Sequence, residues 1–304
     1  MKVLLIGLGS IGKRHASILK NFSNTELCVI TKQDIKDYKK FSSLEECLNL
    51  NDFDCFIIAS ETYKHYEQLN YINNHVENKL ILVEKPLYDK YQELNNIKNK
   101  IFIAYNLRFH PILTEIKKLI ENTKILFFQV FVGQYLPSWR PEADYRNSYS
   151  AKAEKGGGVL LDLSHELDYI QWLAGDIVDF KAINGKISDL EINSDDIVTG
   201  IGKTNNGTFV NFSMDYINRI PARQIIMQTT DSTIWADLIE NSLKVKKNDG
   251  FFYKTNYENL NKNISYEKMH YELLYSLDKK SLCTFTEASQ TMKLINEIKK
   301  NNLF

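Results

Sequence analysis

The first third of the chain repeats one pattern, in which a short apolar run is followed by a turn and then by a segment with apolar residues at helical spacing. The predicted strands are residues 3–6, 27–30, 55–59, 80–83 and 101–104. The predicted helices are residues 11–20, 44–50, 66–73 and 88–98. Mostly apolar strands that alternate with helices are typical of a parallel sheet covered on both faces. We therefore predict a doubly wound α/β domain.

The pattern changes after about residue 120, where longer runs alternate between apolar and polar positions. Strands are predicted at residues 125–132, 197–201, 208–214 and 223–230, and helices at residues 159–173 and 286–299. Such alternation is typical of antiparallel strands with one buried face. The chain, with 304 residues, is about twice as long as a usual domain. We predict two domains, residues 1–120 and residues 121–304, the second an α+β domain with a large, mainly antiparallel open sheet.

Charge and cysteine content narrow the possible functions. Lys plus Arg total 38 and Asp plus Glu total 38, so bulk charge favours neither nucleic-acid nor membrane-surface binding. Four scattered cysteines without a CxxC pair are typical of free thiols in a reducing cytosol, and we predict no metal site. The apolar start ends at Gly7 without a cleavage pattern, and no apolar stretch reaches ~18 residues. We expect a cytoplasmic protein.

A GxGxxG motif lies directly after the first predicted strand and directly before the first predicted helix. In that context the glycines allow a tight turn, close approach of a pyrophosphate and close packing of helix on strand. The helix N-terminus offers unpaired N–H groups to the phosphates. The alternative is a glycine-rich turn without a ligand. We favour dinucleotide binding, by Gly7, Leu8, Gly9, Ser10, Ile11 and Gly12.

The residues after the second predicted strand bear on the choice of dinucleotide. An acidic residue at this point accepts a hydrogen bond from the adenosine ribose and favours NAD. Here Thr31 and Lys32 follow the strand, and a hydroxyl and a cation suit the 2′-phosphate of NADP. We predict NADP over NAD. Asp34 favours NAD instead if the strand runs longer, and Lys32 is otherwise an ordinary solvated lysine.

Three further segments follow predicted strands. They are Ala59-Ser60-Glu61-Thr62-Tyr63-Lys64-His65, Glu84-Lys85-Pro86 and Arg108-Phe109-His110-Pro111. Later, a triple glycine at residues 156–158 leads to Asp162, His165 and Asp168. In this order the segments resemble the motifs of the Gfo/Idh/MocA oxidoreductases, and the resemblance in motifs extends over residues 1 to about 175.

The resemblance implies an N-terminal Rossmann domain, a C-terminal sheet that supplies the substrate pocket, and hydride transfer between a pyridine nucleotide and a sugar or related polyol. It also implies a homodimer or homotetramer, with the exposed face of the second sheet as the interface. Independently of it, ligands of open α/β sheets bind beyond the carboxyl ends of the strands. The strand-end residues predicted to bind the cofactor are Ala59, Ser60, Glu61, His65, Glu84, Lys85 and Arg108.

Three residues are predicted to be catalytic. A lysine at a strand end inside a closed site can lose its proton through desolvation, and family members use the lysine that matches Lys85 close to the nicotinamide. In isolation Lys85 would be a surface lysine. His165 is the candidate general acid or base, with Asp162 three residues earlier on one face of the predicted helix. The family's common spacing is four, so either Asp162 or Asp168 could face the pocket. We assign Asp168 a structural role.

An aromatic and cationic stretch between residues 135 and 155 is predicted to contact the substrate. Guanidinium groups pair with carboxylates or phosphates, and aromatic faces suit the C–H surfaces of sugars. This favours an anionic sugar, such as a sugar acid or a nucleotide sugar. In the alternative, the loop pairs its arginines with its own Glu142, Asp144 or Glu154. The residues predicted to bind substrate are Lys85, Arg108, Trp139, Arg140, Tyr145, Arg146, Asp162 and His165.

Together these features predict an NAD(P)-dependent oxidoreductase that acts on a sugar or sugar derivative, with a small carbohydrate as its binding partner. The second hypothesis is a non-catalytic regulatory protein on the same fold, which senses a nucleotide or a sugar. The joint presence of Lys85, Asp162 and His165 favours the enzyme, because a sensor has no need of groups that handle protons.

Overall fold

The first sheet contains six parallel strands, and all of them except the short β3 form from mostly apolar runs of the sequence. The strands are β1 (Lys2–Ile6), β2 (Glu26–Ile30), β3 (Lys39–Phe41), β4 (Cys55–Ile58), β5 (Leu80–Val83) and β6 (Lys100–Ile103). They lie in the order β6-β5-β4-β1-β2-β3, and every pair is parallel. Almost every residue of β1 and β4 is buried, as expected where helices cover both faces of a sheet. The computed structural model describes residues 1–47 and 49–300.

Helices α1 (Ser10–Leu19) and α2 (His65–His75) agree with the predicted ones, but two other predicted helices are absent. Residues 88–98 form an irregular segment whose backbone is hydrogen-bonded to the side chain of Asn73. The Asn73 side chain accepts from the N–H of Lys98 and donates to the carbonyl of Asn96. Asn96 also has a positive φ of 52°. Side-chain hydrogen bonds of this kind compete with helical ones.

The predicted helix at residues 44–50 is also wrong over its described residues; Leu48 lies outside them. The Ser43 hydroxyl accepts from the N–H of Glu46, and the Glu46 carboxylate accepts from the N–H of Ser42. These contacts close a turn, and the chain forms only a short 3-10 helix at Leu50–Asp52. The side chains of Ser43 and Glu46 therefore form a local turn without a helix behind it.

The second sheet has eight strands. They are β7 (Ile125–Gly133), β8 (Ile177–Gly185), β9 (Ile197–Thr204), β10 (Phe209–Asp215), β11 (Ala222–Thr229), β12 (Ser232–Asp237), β13 (Ser242–Lys247) and β14 (Phe252–Asn256), in the order β14-β13-β12-β11-β7-β10-β9-β8. Only β7 and β10 pair in parallel among these described strands, so the predicted mainly antiparallel sheet is confirmed. The helices between strands are α3 (Pro111–Leu119), α4 (Val159–Asp162) and α5 (His165–Ala174).

The chain then returns to the first sheet. After α6 (Ile264–Tyr275), the short strand β15 (Cys283–Thr284) pairs antiparallel with β6, and α7 (Phe285–Lys300) follows. One compact unit therefore consists of Met1–Asn106 and Asn263–Ser289, and the other of Leu107–Lys262 and the residues from Gln290 onward. The predicted division at residue 120 places residues 263–289 in the second domain. No local sequence feature of these residues indicates that they pair with the distant strand β6.

None of the described helices combines the length and the apolar character that crossing a membrane requires. The four cysteines, Cys28, Cys47, Cys55 and Cys283, are buried and have free thiols.

The turn between β1 and α1 is held by contacts that only glycine allows. Gly7 has a φ of +93°, and a Cβ there would lie 2.7 Å from the carbonyl oxygen of Ala59. A Cβ on Gly12 would collide with the carbonyl oxygen of Gly7. Gly9 differs, because nothing lies within 4 Å of the position of its Cβ. Two glycines therefore allow the backbone to close, whereas the third borders open space.

We expect Gly12→Ala to lower the free energy of unfolding by about 3 kcal/mol, since the new methyl group must push the Gly7 carbonyl away. Gly9→Ala is the matched control and should cost less than about 1 kcal/mol. Urea unfolding followed by circular dichroism measures both values. Equal stability of the two variants would contradict the close approach at Gly12.

Candidate active site

The glycine turn provides an anion-binding position at the N-terminus of α1. Gly9 is the N-cap residue, and no side chain caps this helix end within the described residues. The first turn carries no acidic residue. Because the first N–H groups of a helix have no intrahelical acceptors, they are available to a ligand in the open space beside Gly9. The turn therefore fits a phosphate group.

The loop after β2 lies next to this turn. The Thr31 N–H donates to the carbonyl of Phe41, and the Thr31 hydroxyl accepts from the N–H of Gln33 at 3.2 Å. The Gln33 amide donates to the Leu8 carbonyl at 3.0 Å, which links the loop to the glycine turn. Lys32 is exposed, as is Asp34. Sequence analysis missed Gln33, whose polar side chain gives no hint of a partner 25 residues earlier.

The segment after β4 is fixed by a buried histidine. The Ala59 N–H donates to the Ile6 carbonyl and so continues the sheet. In His65, Nδ1 lies 3.1 Å from the Pro86 carbonyl oxygen and Nε2 lies 3.2 Å from that of Ser60. Burial lowers the pKa of His65, so the ring is neutral and donates to one of these carbonyls at a time. His65 thus supports the segments after β4 and β5.

The other predicted residues of this segment have local partners. The Ser60 hydroxyl donates to Gln68 at 2.6 Å, and the half-buried Lys64 pairs with the exposed Glu61 at 2.9 Å. The hydrogen bond from Lys64 opposes the effect of partial burial and lowers the pKa of Glu61. Both contacts lie at the start of α2 and order the chain where it leaves the sheet.

The segment after β5 joins a buried carboxylate to a partly exposed lysine. The Glu84 N–H donates to the Ile58 carbonyl, and the Glu84 side chain is buried. One carboxylate oxygen lies 2.7 Å from Nε2 of His15, and the other accepts from the N–H of Lys85 at 3.3 Å. The Lys85–Pro86 peptide bond is cis. Glu84 is thus turned inward, and Lys85 follows it at the end of the strand.

The first unit therefore brings most of the predicted cofactor residues together at one edge. The glycine turn, Thr31, Ala59 and Lys85 each follow the carboxyl end of one of four adjacent parallel strands. Sequence analysis missed His15 and its partner His270. The available signal for His15 was its place on the buried face of α1, three residues after Gly12.

In the second unit, the triple glycine allows three backbone segments to meet. Gly156 and Gly158 have positive φ values of 78° and 116°. A Cβ on Gly157 would collide with the carbonyl oxygen of Tyr149, and one on Gly158 with the Asp195 carboxylate. The same carboxylate accepts from the N–H of Leu160 at 2.9 Å and so holds the first turn of α4. Burial raises the pKa of Asp195.

The predicted continuous helix over residues 159–173 is wrong, because it breaks at Leu163 and Ser164. Asp162 is the last residue of α4 and His165 is the first residue of α5, so the two do not share the face of one helix. The junction of the two helices therefore lies between Asp162 and His165. Both residues are buried.

Two tyrosines surround the Asp162 carboxylate. The Tyr216 hydroxyl donates to it at 2.5 Å, and the Tyr149 hydroxyl is a second donor. The negative charge of Asp162, followed by burial, raises the pKa of Tyr149, and burial followed by Asp162 raises that of Tyr216. Both phenols therefore stay protonated and donate to the Asp162 carboxylate. Neither tyrosine was predicted as a site residue, because their contact depends on the tertiary fold.

Arg108 lies in a buried ion pair rather than in an open pocket. Its Nε and a terminal nitrogen donate to the two oxygens of Asp168 at 3.0 and 2.7 Å, and both side chains are only 2% exposed. The guanidinium also lies over the ring of Trp172, 5.5 Å from its centroid. The prediction that Arg108 contacts cofactor or substrate is thereby weakened, since its bidentate partner is Asp168.

The loop arginines divide between the two predicted arrangements. Arg146 is half-exposed and pairs with Asp144 at 2.9 Å and with Glu191 at 3.0 Å, so its guanidinium is held by carboxylates. Arg140 is exposed, and it has no carboxylate partner within residues 1–47 and 49–300. Arg140 alone of the two therefore remains available to an anion.

The aromatic residues of the loop are held by polar contacts. Trp139 donates its indole N–H to the Gln134 carbonyl at 3.2 Å and packs edge-on against Tyr216, with centroids 5.2 Å apart. The Tyr145 hydroxyl accepts from the N–H of Glu191 at 3.2 Å. Trp139 therefore belongs to the surroundings of Asp162, whereas Tyr145 joins the loop to residue 191.

Each unit offers its own chemical groups. The first unit has an anion position and an amine, and the second has an imidazole and a carboxylate held by two phenols. Amine and imidazole groups transfer protons near neutral pH when their surroundings bring their pKa values close to that pH.

Two family models match the chain. The model described as an oxidoreductase family with an NAD-binding Rossmann fold matches residues 1–101, and the model of the GFO/IDH/MocA C-terminal domain matches residues 113–234. No curated protein matches the sequence significantly.

Solved structures with the same fold cover nearly the whole chain. A levoglucosan dehydrogenase in complex with NADH has a TM-score of 0.84 and 17% identity, covering 99% of this chain and 96% of that one. An NAD-binding oxidoreductase from Klebsiella pneumoniae has a TM-score of 0.83 and 17% identity, with the same coverage. A UDP-N-acetylglucosamine 3-dehydrogenase from Acidithiobacillus ferrooxidans has a TM-score of 0.79 and 18% identity, covering 99% and 97%.

The glycine turn, the strand-end segments at residues 59–65 and 84–86 and the triple-glycine segment fall within the residues that the two family models match. The predicted doubly wound sheet followed by a mainly antiparallel sheet is confirmed. The chain therefore belongs to the Gfo/Idh/MocA family of oxidoreductases.

Proposed function

We propose that the protein is an NAD(P)-dependent oxidoreductase that acts on a sugar or a sugar derivative. The observation that carries the proposal is the open anion position beside Gly9, at the same sheet edge as the strand-end residue Lys85. Its family membership supports the redox class. Two proteins of the same fold are a levoglucosan dehydrogenase and a UDP-N-acetylglucosamine 3-dehydrogenase, which supports a carbohydrate substrate.

The cofactor is proposed to lie across the carboxyl ends of β1, β2, β4 and β5. The backbone from Gly7 to Gly12 would hold the pyrophosphate, and the segments that begin at Ala59 and Glu84 would line the path of the dinucleotide. When bound, the nicotinamide supplies or accepts the hydride. Ser60, Glu61 and His65 would contribute mainly by ordering this edge, since each already has a partner in the first unit.

Lys85, His165 and Asp162 are proposed to handle the proton of the reacting hydroxyl. The Lys85 amine or the His165 imidazole would take that proton in the oxidising direction and return it in the reducing direction. The Asp162 carboxylate, to which two phenols donate, would orient a substrate hydroxyl or the imidazole. Tyr216 and Tyr149 thus support the role that the sequence assigns to Asp162.

NADP is proposed as the preferred cofactor. Thr31 and Lys32 follow the end of β2, and neither of these positions holds an acidic residue. The Lys32 side chain is exposed. A cation and a hydroxyl suit a 2′-phosphate, whereas a carboxylate would suit the free ribose hydroxyl. The family description and the complex of one neighbour with NADH support NAD binding as the broader property.

An anionic sugar, such as a sugar acid or nucleotide sugar, is proposed as the substrate. Of the predicted arginines, Arg108 and Arg146 are bound to carboxylates, so the proposal depends on the exposed Arg140. Trp139 and Tyr145 offer aromatic surface in the same loop. A guanidinium binds a carboxylate or phosphate in two parallel hydrogen bonds.

A homodimer or homotetramer formed through the open face of the second sheet is also proposed. Phe209 is 61% exposed and Ile201 is 60% exposed, and Phe127 lies beside Phe209 in the register of β7 and β10. Apolar side chains on adjacent strands favour burial against another protein. The four free, buried thiols support action in the cytoplasm.

Replacing Lys85 tests the catalytic assignment. We expect Lys85→Met to lower kcat/KM about a thousandfold, because a positioned acid or base contributes that much, and to weaken NADH and NADPH binding by a much smaller factor. The substrate is first found with a panel of levoglucosan, L-sorbose, UDP-N-acetylglucosamine and sugar acids, followed by the absorbance of the reduced cofactor. Lys90→Met, at an exposed lysine five positions on, is the control.

Near-normal turnover by Lys85→Met would reject this role for the lysine. A wild-type protein that binds the nucleotide but oxidises or reduces no sugar in the panel would favour the regulatory protein instead of the enzyme.

The anion position at the glycine turn has its own test. Gly9→Ala places a methyl group in the open space beside the N-terminus of α1, so we expect affinity for both NADH and NADPH to fall at least about tenfold. Isothermal titration calorimetry measures both dissociation constants. Unchanged affinity in a folded variant would place the pyrophosphate elsewhere.

Lys32→Ala tests the preference for NADP. Loss of one cation beside the 2′-phosphate should raise the dissociation constant of NADPH about tenfold and leave that of NADH the same. Lys36→Ala, at another exposed lysine of the same loop, is the control. An equal effect of Lys32→Ala on both dinucleotides would contradict the assignment.

A further inference from the structure

A chain of three buried titratable side chains runs through the first unit behind Lys85. Nδ1 of His15 lies 2.7 Å from Nε2 of His270, and Nε2 of His15 lies 2.7 Å from one oxygen of Glu84. His15 and His270 are fully buried, and Glu84 is 5% exposed. The other Glu84 oxygen accepts from the backbone N–H of Lys85. We name the three side chains the Glu84–His15–His270 chain.

The three members come from elements that are far apart in sequence. His15 belongs to α1, directly behind the glycine turn, Glu84 follows β5, and His270 belongs to α6 in the returning segment. The chain of hydrogen bonds therefore links the helix that faces the proposed pyrophosphate position to the backbone that carries Lys85. Buried polar groups are costly unless they are bonded, so this arrangement selects one orientation for each ring.

The hydrogen-bond partners of Glu84 and His270 indicate how protons are arranged in the Glu84–His15–His270 chain. One Glu84 oxygen accepts from the Lys85 N–H, and the other lies 2.7 Å from Nε2 of His15, which is the donor in this contact when Glu84 is a carboxylate. Burial, followed by the charge of His15, lowers the pKa of His270 well below the usual value, so His270 is neutral. Nδ1 of His270 has no hydrogen-bond partner within the described residues. The one polar contact of the His270 ring is thus directed at His15.

Other charged and aromatic groups around His15 do not replace this contact. The Tyr266 ring packs edge-on against His15, with centroids 5.6 Å apart. The Arg14 guanidinium lies over the ring of Tyr266. Burial raises the pKa of Tyr266, so this phenol stays neutral. The His15 ring is therefore fixed by apolar packing on one side and by hydrogen bonds at both nitrogens.

We infer that His15 and His270 are positioning residues for Lys85, which they hold through Glu84. This inference rests on the proposed role of Lys85 in proton transfer. His270 fixes the His15 ring, His15 holds the Glu84 carboxylate inward, and the carboxylate holds the Lys85 backbone. A catalytic amine must be held within a fraction of an ångström of its working position, and a bonded second layer achieves this.

The test compares three variants of the full-length protein on the same helix α6. His270→Phe removes the contact to His15 and keeps a ring. His270→Gln retains an amide near the position of Nε2. Met269→Leu is the control, because Met269 is fully buried beside His270 and the swap nearly conserves volume. Thermal unfolding by circular dichroism establishes how much stability each variant loses.

The kinetic readout separates positioning from stability. We expect His270→Phe to lower kcat about tenfold with KM for the cofactor unchanged, since one hydrogen bond in a charged chain is lost. His270→Gln should recover most of kcat, and Met269→Leu should match the wild type. Loss of kcat that is equal in the Phe and Gln variants, or that follows melting temperature across all three, would overturn the inference.

A second readout does not require turnover. Lysine amines are labelled by reductive methylation with ¹³C, and the Lys85 resonance is assigned by its absence in Lys85→Arg. It should shift in His270→Phe and keep its wild-type position in His270→Gln and Met269→Leu. If the wild type turns over no sugar, the proposed function fails while this resonance still decides the positioning role. An unshifted resonance in His270→Phe would refute it.

His15→Asn decides the matter if His270→Phe does not fold. An asparagine amide reaches the position of Nδ1, and so retains the contact to His270, but lacks the nitrogen that holds Glu84. We expect the same shift of the Lys85 resonance and the same loss of kcat. A wild-type resonance and a wild-type kcat in His15→Asn would reject the inference.

Discussion

The close approach of backbone to backbone at the glycine turn is the constraint on which the first unit depends. With no Cβ on Gly7 or Gly12, α1 packs directly against the end of β1 and beside Ala59. That position brings the N-terminus of α1 to the carboxyl edge of the sheet and directs His15, one turn later, toward Glu84. The anion position and the interior hydrogen bonds are thus two results of the same packing.

In the second unit, glycines also allow segments of the chain to pack closely, here around Asp162. Gly157 and Gly158 allow the segments around Tyr149 and Asp195 to approach α4, and α4 then places Asp162 between two phenols. Buried charges of α5 are neutralised individually. Glu166 pairs with Arg223, and Asp168 with Arg108. Charged groups buried at this depth persist because each has a partner with matching geometry.

Much of the fold could be predicted from sequence because the central strands are buried on both faces and read as uninterrupted apolar runs. The missing helices at residues 44–50 and 88–98 had helical spacing. However, the Ser43 side chain bonds the backbone of Glu46, and the Asn73 side chain bonds backbone 23 and 25 residues later, which no periodicity reveals. Motifs located the glycine turn and Lys85. They could not show that Arg108 is held by Asp168, or that His15 meets His270, since these partners lie 60 and 255 residues away.

The return of the chain to its first sheet has a consequence for biosynthesis. Strand β6 gains its antiparallel neighbour β15, and His15 gains His270, only from the segment Asn263–Ser289. A nascent chain that has emerged only as far as residue 262 leaves the edge of β6 unpaired and the nitrogen of a buried imidazole without its partner. Unpaired sheet edges recruit other chains. The first unit, whose parallel strands all lie before residue 104, is therefore completed only after residue 289 has left the ribosome.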